Sequence, residues 1–158
     1  EMALSLGADV PFFLNATPCT ATGIGEILQP VTFPWKCNVL LVVPAFSIST
    51  TEAYSVFDRK NPGQSEAADL LQALSSMHSL ADARGTIKND FEPVLFSHYP
   101  DLSTIKQTVL DSGADYASLT GSGSVIYGLF TVHKKALAAH KTMSKSNKTE
   151  LVSAIIAP

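Results

Sequence analysis

The order of short patterns near the C-terminus constrains the fold of this chain more than any other feature. Apolar stretches at Tyr116–Leu119 and Val125–Phe130 flank a glycine-rich turn, Thr120–Ser124. A helical pattern at Val132–Met143 then precedes a last apolar stretch, Leu151–Ile156. Strand, turn, strand, helix and strand in this order suit a split βαβ unit. The sequence therefore predicts an α+β fold, with a ferredoxin-like sheet that carries its helices on one face.

The patterns upstream supply further strands and then helices. The continuous apolar run Val39–Val43 predicts a strand buried on both faces, because residues of both faces are apolar. Shorter strands are predicted at Pro11–Leu14, at Cys19–Gly23 and, from alternating polar and apolar residues, at Gly25–Val31. The glycines between the last two indicate a tight hairpin and lack the following helix of a dinucleotide-binding fingerprint. Helical spacing follows at Thr51–Phe57, Ser65–Met77, Asn89–Glu92 and Asp101–Asp111.

The length of 158 residues is enough for one ordinary domain and hardly enough for two. The start, Glu1–Leu6, reads as the last turns of a helix closed by Gly7, without the basic and apolar regions of a signal peptide. We therefore expect the chain to be part of a longer protein. Residues 1–43 are predicted to be the tail of a preceding domain with connecting strands, and residues 44–158 a second domain.

Composition excludes several classes of protein. Hydrophobic residues make up 46% and charged residues 16% of the chain, which is typical of a globular protein with a buried core. The net charge of −3 provides no positive field for nucleic acid. The apolar run Val39–Phe46 is broken by Pro44 and is too short to span a membrane. Cys19 and Cys37 form neither a metal-binding pattern nor a disulfide framework, so a reduced, cytoplasmic compartment is expected.

Histidines and lysines do not indicate a site. The four histidines, at positions 78, 98, 133 and 140, lack the spacing of zinc ligands, so no metal site is predicted. A cluster of lysines could attract phosphates or acidic partners, although a solvated helix face is the simpler interpretation. The cluster consists of Lys134, Lys135, Lys141, Lys145 and Lys148.

Asp9 is the first candidate for chemistry. It is the single carboxylate in the apolar segment Leu6–Phe13, at a predicted corner between a helix and a strand. Burial there would raise the pKa of the carboxyl group unless a cation or hydrogen-bond donors compensate, and Lys36 is the nearest lysine along the chain. A rigid, desolvated carboxylate suits a general base or a group that orients a hydroxyl. A turn aspartate bonded to its own backbone explains the same spacing.

The turn Thr120–Ser124 is the second candidate. Gly121 and Gly123 allow the backbone to bend and to expose consecutive N–H groups, which form a nest for anions. Hydroxyl groups at the other three positions would add donors. The turn is not a Walker A loop, because no lysine follows the glycines and no helix begins there. An ordinary glycine-rich hairpin turn is the alternative.

Polar groups before two of the predicted helices are placed to cap them. Ser49 and Thr50 stand before an acidic first turn, where a hydroxyl group can accept a hydrogen bond from a backbone amide. Asn89 is followed three residues later by Glu92, which resembles a capping box.

Three segments together resemble the GHMP small-molecule kinases. They are Leu6–Phe13, Asn89–Pro93 and Leu119–Phe130, in the order and at the spacing typical of that superfamily. Within the superfamily, two segments indicate one particular member. They are Gly25–Pro30 and Asn89–Glu92. The resemblance extends over nearly the whole chain, which would correspond to the C-terminal domain of such a kinase preceded by a few strands from its N-terminal domain.

The resemblance implies a kinase that transfers the γ-phosphate of ATP to an alcohol hydroxyl of a small molecule. ATP and Mg²⁺ would be bound mainly by a preceding half. The family's catalytic aspartate falls on Asp9, which pairs with a lysine near the N-terminus of the full protein. Thr50 corresponds to a threonine beside the substrate, and Asn89–Glu92 to a segment that supports the cleft. The family's third glycine-rich motif, which borders the cleft near the phosphates, falls on Gly121, Ser122, Gly123 and Ser124.

The family's ATP-binding loop and N-terminal lysine are missing from this sequence, so we expect the isolated chain to be inactive. A small-molecule substrate is the expected partner, without nucleic acid or membrane. Self-association is expected through a face left uncovered by the preceding half. A bacterial cytoplasmic location is expected, with a plastid as the alternative. Two other functions stay open: a non-catalytic α+β module that binds phosphorylated metabolites or a protein, and a GHMP kinase for another acceptor such as homoserine.

Overall fold

A computed structural model describes residues 5–7, 10–15, 17–60 and 70–153. The described residues up to Lys36 form one compact unit, and those from Cys37 onward form a second. No helix within these ranges is both long and apolar enough to cross a membrane.

The first unit contains a short helix and a β-hairpin. Helix α1 spans Val10–Asn15, and strands β1 (Cys19–Thr22) and β2 (Ile27–Pro30) pair antiparallel. In the turn between the strands, Gly23 and Gly25 have φ angles of 72° and 112°, which favour glycine. The predicted tight hairpin is therefore confirmed.

The strand predicted at Pro11–Leu14 is wrong, because these residues lie in α1. The helix begins where the amide of Val10 donates to the carbonyl oxygen of Gly7 at 3.2 Å. Proline at the next position is compatible with a first helical turn, since its φ is already helical and the missing N–H would have no partner there. An apolar run this short does not by itself distinguish a strand from a helix.

The second unit is built on a four-stranded antiparallel sheet with the order β4-β5-β3-β6. This is the strand order of a ferredoxin-like split βαβ unit, so the predicted α+β fold is confirmed. The strands are β3 (Asn38–Val43), β4 (Tyr116–Leu119), β5 (Ile126–Phe130) and β6 (Lys148–Ser153).

Strand β3 belongs to the second unit, where it pairs with β5 on one side and β6 on the other. The predicted division after residue 43 would separate the strand from both partners, and the unit instead begins at Cys37. Leu40 and Val42 are fully buried, whereas Val39 and Leu41 on the other face are half-buried. The strand is thus enclosed on one face and partly covered on the other, rather than buried on both.

Helices connect the strands in the described part of the second unit. They confirm the helical segments predicted at Thr51–Phe57 and Asp101–Asp111, and the described part of the one predicted at Ser65–Met77, whose start lies outside the described residues. The helix predicted to start at Asn89 begins instead at Glu92. A 3₁₀ turn, Leu80–Asp82, leads into one of them. The helices are α2 (Thr50–Lys60), α3 (Leu70–Ser76), α4 (Ala83–Thr86), α5 (Glu92–His98), α6 (Pro100–Asp111) and α7 (His133–Met143).

The core lies between the sheet and these helices. Residues of α6 and α7 pack against Leu40, Val42 and Phe130. A neighbouring cluster packs residues of α2, α5 and α6 against Leu119 and Ile126. Leu119 is the last residue of β4 and Ile126 the first of β5, so the glycine-rich turn lies between them. Their burial therefore holds both ends of the turn in place.

Candidate functional site

The glycine-rich turn joins β4 to β5. Gly121 (φ 54°) and Gly123 (φ 90°) adopt left-handed conformations. The amide of Thr120 donates to the carbonyl oxygen of Val125 at 2.9 Å, and the amide of Gly123 donates to the carbonyl oxygen of Thr120 at 3.0 Å. The expected run of consecutive exposed N–H groups is therefore interrupted at Gly123, whose amide is used inside the turn.

Thr50, the first residue of α2, lies beside this turn. The hydroxyl group of Ser122 donates to Thr50 Oγ1 over 3.4 Å, so two predicted substrate-binding residues 72 positions apart meet in the structure. Of the two hydroxyl groups that the sequence offered as a helix cap, that of Ser49 forms the cap and that of Thr50 does not. Ser49 provides the cap, because its Oγ accepts from the amide of Glu52 at 3.1 Å and its carbonyl oxygen from the amide of Ala53 at 2.9 Å. The Thr50 hydroxyl is thereby left to contact the turn.

Ser124 anchors the other end of the turn. Its side chain is buried, and its hydroxyl group donates to the carbonyl oxygen of Phe46 at 3.0 Å. Phe46 stacks on Tyr99, with 5.6 Å between the ring centroids. The peptide bond that precedes Ser124 is cis. The Ser124 hydroxyl, predicted as a donor to a ligand, is thus engaged by the protein itself.

Asn89 connects the segment before α5 to the turn. Its Nδ2 donates to the carbonyl oxygens of Leu119 at 2.9 Å and of Gly121 at 2.8 Å, and its Oδ1 accepts from the amide of Phe91 at 2.9 Å. The predicted capping box is wrong, because α5 begins at Glu92 and the Glu92 carboxylate does not turn back to Asn89.

Glu92 instead binds the last residues of β4. Its Oε1 accepts from the Ser118 hydroxyl and from the Leu119 amide, both at 2.9 Å. Its Oε2 forms an ion pair with Lys106 Nζ of α6 at 2.6 Å. One carboxylate therefore ties β4 to two helices immediately before the turn. A serine within the otherwise apolar stretch at Tyr116–Leu119 was the sequence signal for such a polar partner.

A groove of about 580 Å³ runs along β4 and one side of the turn. Its walls carry the rings of Phe91, Tyr116 and Tyr127, together with Lys88 and the backbone of Gly121. Sequence reasoning missed this groove, because the two tyrosines lie on neighbouring strands and meet through the strand register, with Tyr127 opposite Ser118.

The two tyrosines are neutral groups at physiological pH. Their ring centroids are 6.0 Å apart, and the Tyr116 hydroxyl donates to the carbonyl oxygen of Ile87 at 3.1 Å. Burial raises the pKa of Tyr116, and burial together with the neighbouring Tyr116 raises the pKa of Tyr127 further above its usual value. The groove is therefore aromatic and uncharged along these strands, and its lining also includes two side chains of opposite charge, Lys88 and Asp90.

Other candidates do not join this site. Asp9 lies outside the described residues. The histidines make contacts elsewhere, such as His133 with Asn38 at 2.9 Å and His140 with Thr149 at 3.1 Å. Across the described ranges, no group of three or more His, Cys, Asp and Glu side chains could hold a metal ion. The side chains of the lysine cluster are exposed, as expected of a solvated surface.

Comparison with known families is consistent with this fold and turn. Residues 64–148 match the family model described as GHMP kinases C terminal. This match spans more than half of the chain, so the chain belongs to the GHMP kinase family through its C-terminal domain.

Individual relatives have names that are more specific than that of the family. A protein of Nitratidesulfovibrio vulgaris (strain DP4) named 4-diphosphocytidyl-2-C-methyl-D-erythritol kinase is 37% identical over 145 residues, which cover 90% of this chain and 51% of the relative. A protein of the same name from Chlorobium phaeobacteroides (strain DSM 266) is 39% identical over 140 residues, covering 88% of this chain and 48% of the relative. The chain thus spans about half the length of these curated relatives.

Solved structures share the fold. A crystal structure of 4-(cytidine 5'-diphospho)-2C-methyl-D-erythritol kinase matches with a TM-score of 0.76 at 24% identity, over 95% of this chain and 54% of that one. A homoserine kinase from Cytophaga hutchinsonii matches with a TM-score of 0.58 at 18% identity, over 82% of this chain and 45% of that one. At these identities the likeness concerns the fold alone.

Proposed function

We propose that this chain is the C-terminal half of an ATP-dependent kinase that phosphorylates the 2-hydroxyl of 4-diphosphocytidyl-2-C-methyl-D-erythritol, in the non-mevalonate isoprenoid pathway. The observation that carries the proposal is the 37% identity, over 90% of the chain, to a relative named for that substrate. The homoserine kinase with the same fold is only 18% identical. The proposal assigns residues 37–153 to the substrate-binding domain and the residues before them to the end of a nucleotide-binding domain.

In this proposal the Asp9 carboxylate orients the acceptor hydroxyl and helps to remove its proton. The role rests on the sequence resemblance, since Asp9 lies outside the described residues. Phosphoryl transfer depends mainly on positioning and electrostatics, and a carboxylate held beside the hydroxyl contributes to both.

Thr50 and the glycine-rich turn would bind the substrate together. The 3.4 Å contact between the Ser122 and Thr50 hydroxyls supports this part of the proposal. Hydroxyl groups and backbone amides suit phosphate oxygens because they donate hydrogen bonds and carry no negative charge. Gly121 and Gly123 allow the backbone to approach closely. Ser124 would act through its backbone, because its hydroxyl is bound to the carbonyl of Phe46.

ATP is the proposed phosphate donor, with Mg²⁺ as its counter-ion. Since no cluster of metal-binding side chains occurs among the described residues, Mg²⁺ would be held by the phosphates and by the additional half that the relatives possess. The proposed partner is the small-molecule substrate, and the proposed location is the bacterial cytoplasm.

The test is a kinase assay on this chain joined to the N-terminal half of the Nitratidesulfovibrio vulgaris relative. The acceptors are 4-diphosphocytidyl-2-C-methyl-D-erythritol, homoserine, mevalonate and galactose. We expect phosphorylation of the first alone. Asp9→Asn keeps the size of the side chain but removes the charge, and is expected to lower kcat by about 10²- to 10⁴-fold. Asp58→Asn, at an exposed position of α2, is the matched control and is expected to keep full activity.

Other outcomes decide between the alternatives. Phosphorylation of homoserine instead would keep the kinase family and reject the proposed substrate. A folded fusion that phosphorylates none of the four acceptors would favour a non-catalytic binding module. The 158-residue chain alone is expected to be inactive, and measurable turnover by it would contradict the assignment of ATP binding to the other half.

A further inference from the structure

The outer edge of β4 is bound by side chains where another strand could pair. β4 lies at the edge of its sheet, next to β5. At Leu119, the N–H donates to Glu92 Oε1 and the carbonyl oxygen accepts from Asn89 Nδ2, both at 2.9 Å. These outward-facing groups are the ones through which a neighbouring strand would bind. Two side chains from the start of the α5 region therefore take the place of a fifth strand at this point.

Asn89 also reaches beyond the strand into the turn. The same Nδ2 donates to the carbonyl oxygen of Gly121 at 2.8 Å. Its Oδ1 accepts from the amide of Phe91, which fixes the orientation of the side-chain amide. Asn89 thus uses both hydrogens of its NH₂ group on two carbonyl groups that lie two residues apart.

These bonds determine where the following amides point. In a planar trans peptide group, the C=O and the N–H point in opposite directions. The Leu119 carbonyl faces Asn89, and the Thr120 N–H accordingly points the other way, to the carbonyl oxygen of Val125. By the same geometry, the bond from Asn89 to the Gly121 carbonyl turns the Ser122 N–H to the side of the turn away from Asn89.

Packing does not hold the Gly121 peptide in this orientation. Gly121 is exposed, and a Cβ added there would meet no heavy atom within 4 Å. Glycine also has the widest choice of backbone angles of any residue. The turn bond from the Gly123 amide to the Thr120 carbonyl and the bond from the Ser122 hydroxyl to Thr50 involve groups on either side of this peptide. The hydrogen bond from Asn89 is made to the carbonyl of the Gly121–Ser122 peptide itself and therefore favours one orientation of it.

We infer that Asn89 is a positioning residue, which holds the Gly121–Ser122 peptide so that the Ser122 N–H is presented as a fixed donor to an anionic oxygen of the substrate. The identity of that anion rests on the proposed function, whereas the orientation of the peptide does not. A donor that is already in place stabilises charge in the transition state without reorganisation. Its loss is expected to lower kcat more than it raises KM.

The test uses Asn89→Asp in the fusion protein described above. This change keeps the acceptor for the Phe91 amide and replaces the NH₂ donor by an oxygen that faces two carbonyl groups. Asp90→Asn replaces a carboxylate oxygen by an NH₂ group, which is the reverse of the Asn89→Asp change. Because Asp90 is the exposed neighbouring residue, this variant serves as the matched control. Asn89→Gln retains the NH₂ group on a longer side chain, and is expected to fall between the wild type and Asn89→Asp. It provides the same comparison if Asn89→Asp does not fold.

The first readout does not depend on activity. Amide ¹⁵N–¹H NMR is expected to show lower heteronuclear NOE values at Gly121 and Ser122 in Asn89→Asp, because the peptide gains freedom, and unchanged values in Asp90→Asn. Unchanged values at both residues in Asn89→Asp would overturn the inference. This readout decides the question even if the wild-type fusion phosphorylates no acceptor, a result that would reject only the proposed function.

The second readout separates positioning from a structural role. In Asn89→Asp we expect kcat to fall about 10- to 100-fold, with KM for both substrates changed less than about threefold. A purely structural residue would lower the unfolding temperature and leave the kcat of the folded enzyme unchanged. That result, or an effect confined to KM, would overturn the positioning role.

Discussion

Tyr127 links the burial of a single side chain to the pH dependence of stability. Burial raises the pKa of Tyr127 above its usual value, whereas the phenol of the unfolded chain ionises at about pH 10. The folded state therefore keeps a proton that the unfolded state releases. The contribution of Tyr127 to the free energy of unfolding is therefore constant below about pH 10. Above that pH it decreases, by up to about 1.4 kcal/mol per pH unit.

Tyr127→Phe is expected to remove this contribution. The slope of the unfolding free energy against pH should become shallower above about pH 10, because no phenol remains at this position to ionise on unfolding. At neutral pH, the variant is expected to change the unfolding free energy by no more than about 1 kcal/mol, because only the hydroxyl group is removed. Urea unfolding at a series of pH values measures both effects. Parallel curves for the two proteins above pH 10 would contradict the prediction.

Glu92 is a second residue whose contacts set a measurable stability. Glu92→Ala leaves the Leu119 N–H and the Ser118 hydroxyl without their acceptor and Lys106 without its carboxylate. We expect a loss of about 2–4 kcal/mol in urea unfolding, because polar groups of the buried residues Ser118 and Leu119 and of the half-buried Lys106 lose their partner. Glu92→Gln keeps an acceptor oxygen and should cost less.

Glu150→Ala is the matched control for this prediction, since Glu150 is exposed on β6. It is expected to change the unfolding free energy by no more than about 0.5 kcal/mol. Equal losses in Glu92→Ala and Glu150→Ala would show that the contacts of Glu92 do not stabilise β4.

The roles of Asn89 and Glu92 show what the sequence could not reveal at this scale. Their spacing is that of a capping box, which is a local pattern, and local spacing predicted a local partner. The actual partners, Ser118 and Leu119, are 26 to 30 positions away and reach these side chains only after β4 has formed. Thr50 and Ser122 were named as site residues through the family resemblance, and their contact likewise depends on the fold.

At the scale of elements, Gly128 shows how closely β5 packs on α6. A Cβ added at Gly128 would lie 2.4 Å from Val109 Cγ1 of α6 and 3.1 Å from the ring of Phe130. Both neighbours are fully buried, so neither can move aside easily. We expect Gly128→Ala to destabilise the protein by about 1–3 kcal/mol in urea unfolding.

Gly85→Ala is the matched control, because the same methyl group is added where it meets nothing within 4 Å. Gly85 lies in α4, and alanine favours a helix, so this variant is expected to be neutral or up to about 1 kcal/mol more stable. A Gly128→Ala protein as stable as the wild type would mean that β5 and α6 are further apart than described.

Elements with a strong period were predictable and short ones were not. The helix predicted at Asp101–Asp111 and the strands around the glycine-rich turn were confirmed, because several apolar residues repeat at the correct spacing. The residues predicted as a strand, Pro11–Leu14, lie in helix α1, since four apolar residues are compatible with either structure. The burial of β3 was overestimated, because an apolar run does not say how much of each sheet face other elements cover.

At the scale of the whole molecule, the sequence predicted two parts but not where they divide. No local sequence feature assigns β3 to the second unit. Its pairing with β5 and β6 does so. Both pairings join residues far apart in the chain, so the division depends on long-range contacts. The order of motifs, by contrast, was sufficient to identify the kinase family, because it is independent of where a unit begins.

Self-association of the isolated chain is a prediction about the surface of the first unit. Large apolar side chains are exposed there, with 74% of Phe13, 75% of Leu14 and 71% of Ile24 accessible to solvent. Exposed apolar groups of this size favour association when nothing covers them. We expect sedimentation velocity of the 158-residue chain to show reversible, concentration-dependent association.

Substitution within this surface determines whether it drives the association. Phe13→Glu is expected to shift the chain to monomer, because the charge would be buried on association. Leu137→Glu is the matched control, since Leu137 is an exposed apolar residue on α7 of the second unit. The fusion with the N-terminal half of the relative is expected to be less associated than the chain alone, because the added half would cover apolar surface of the first unit. Equal effects of the two substitutions would place the contact elsewhere, and a monomeric chain at all concentrations would contradict the prediction itself.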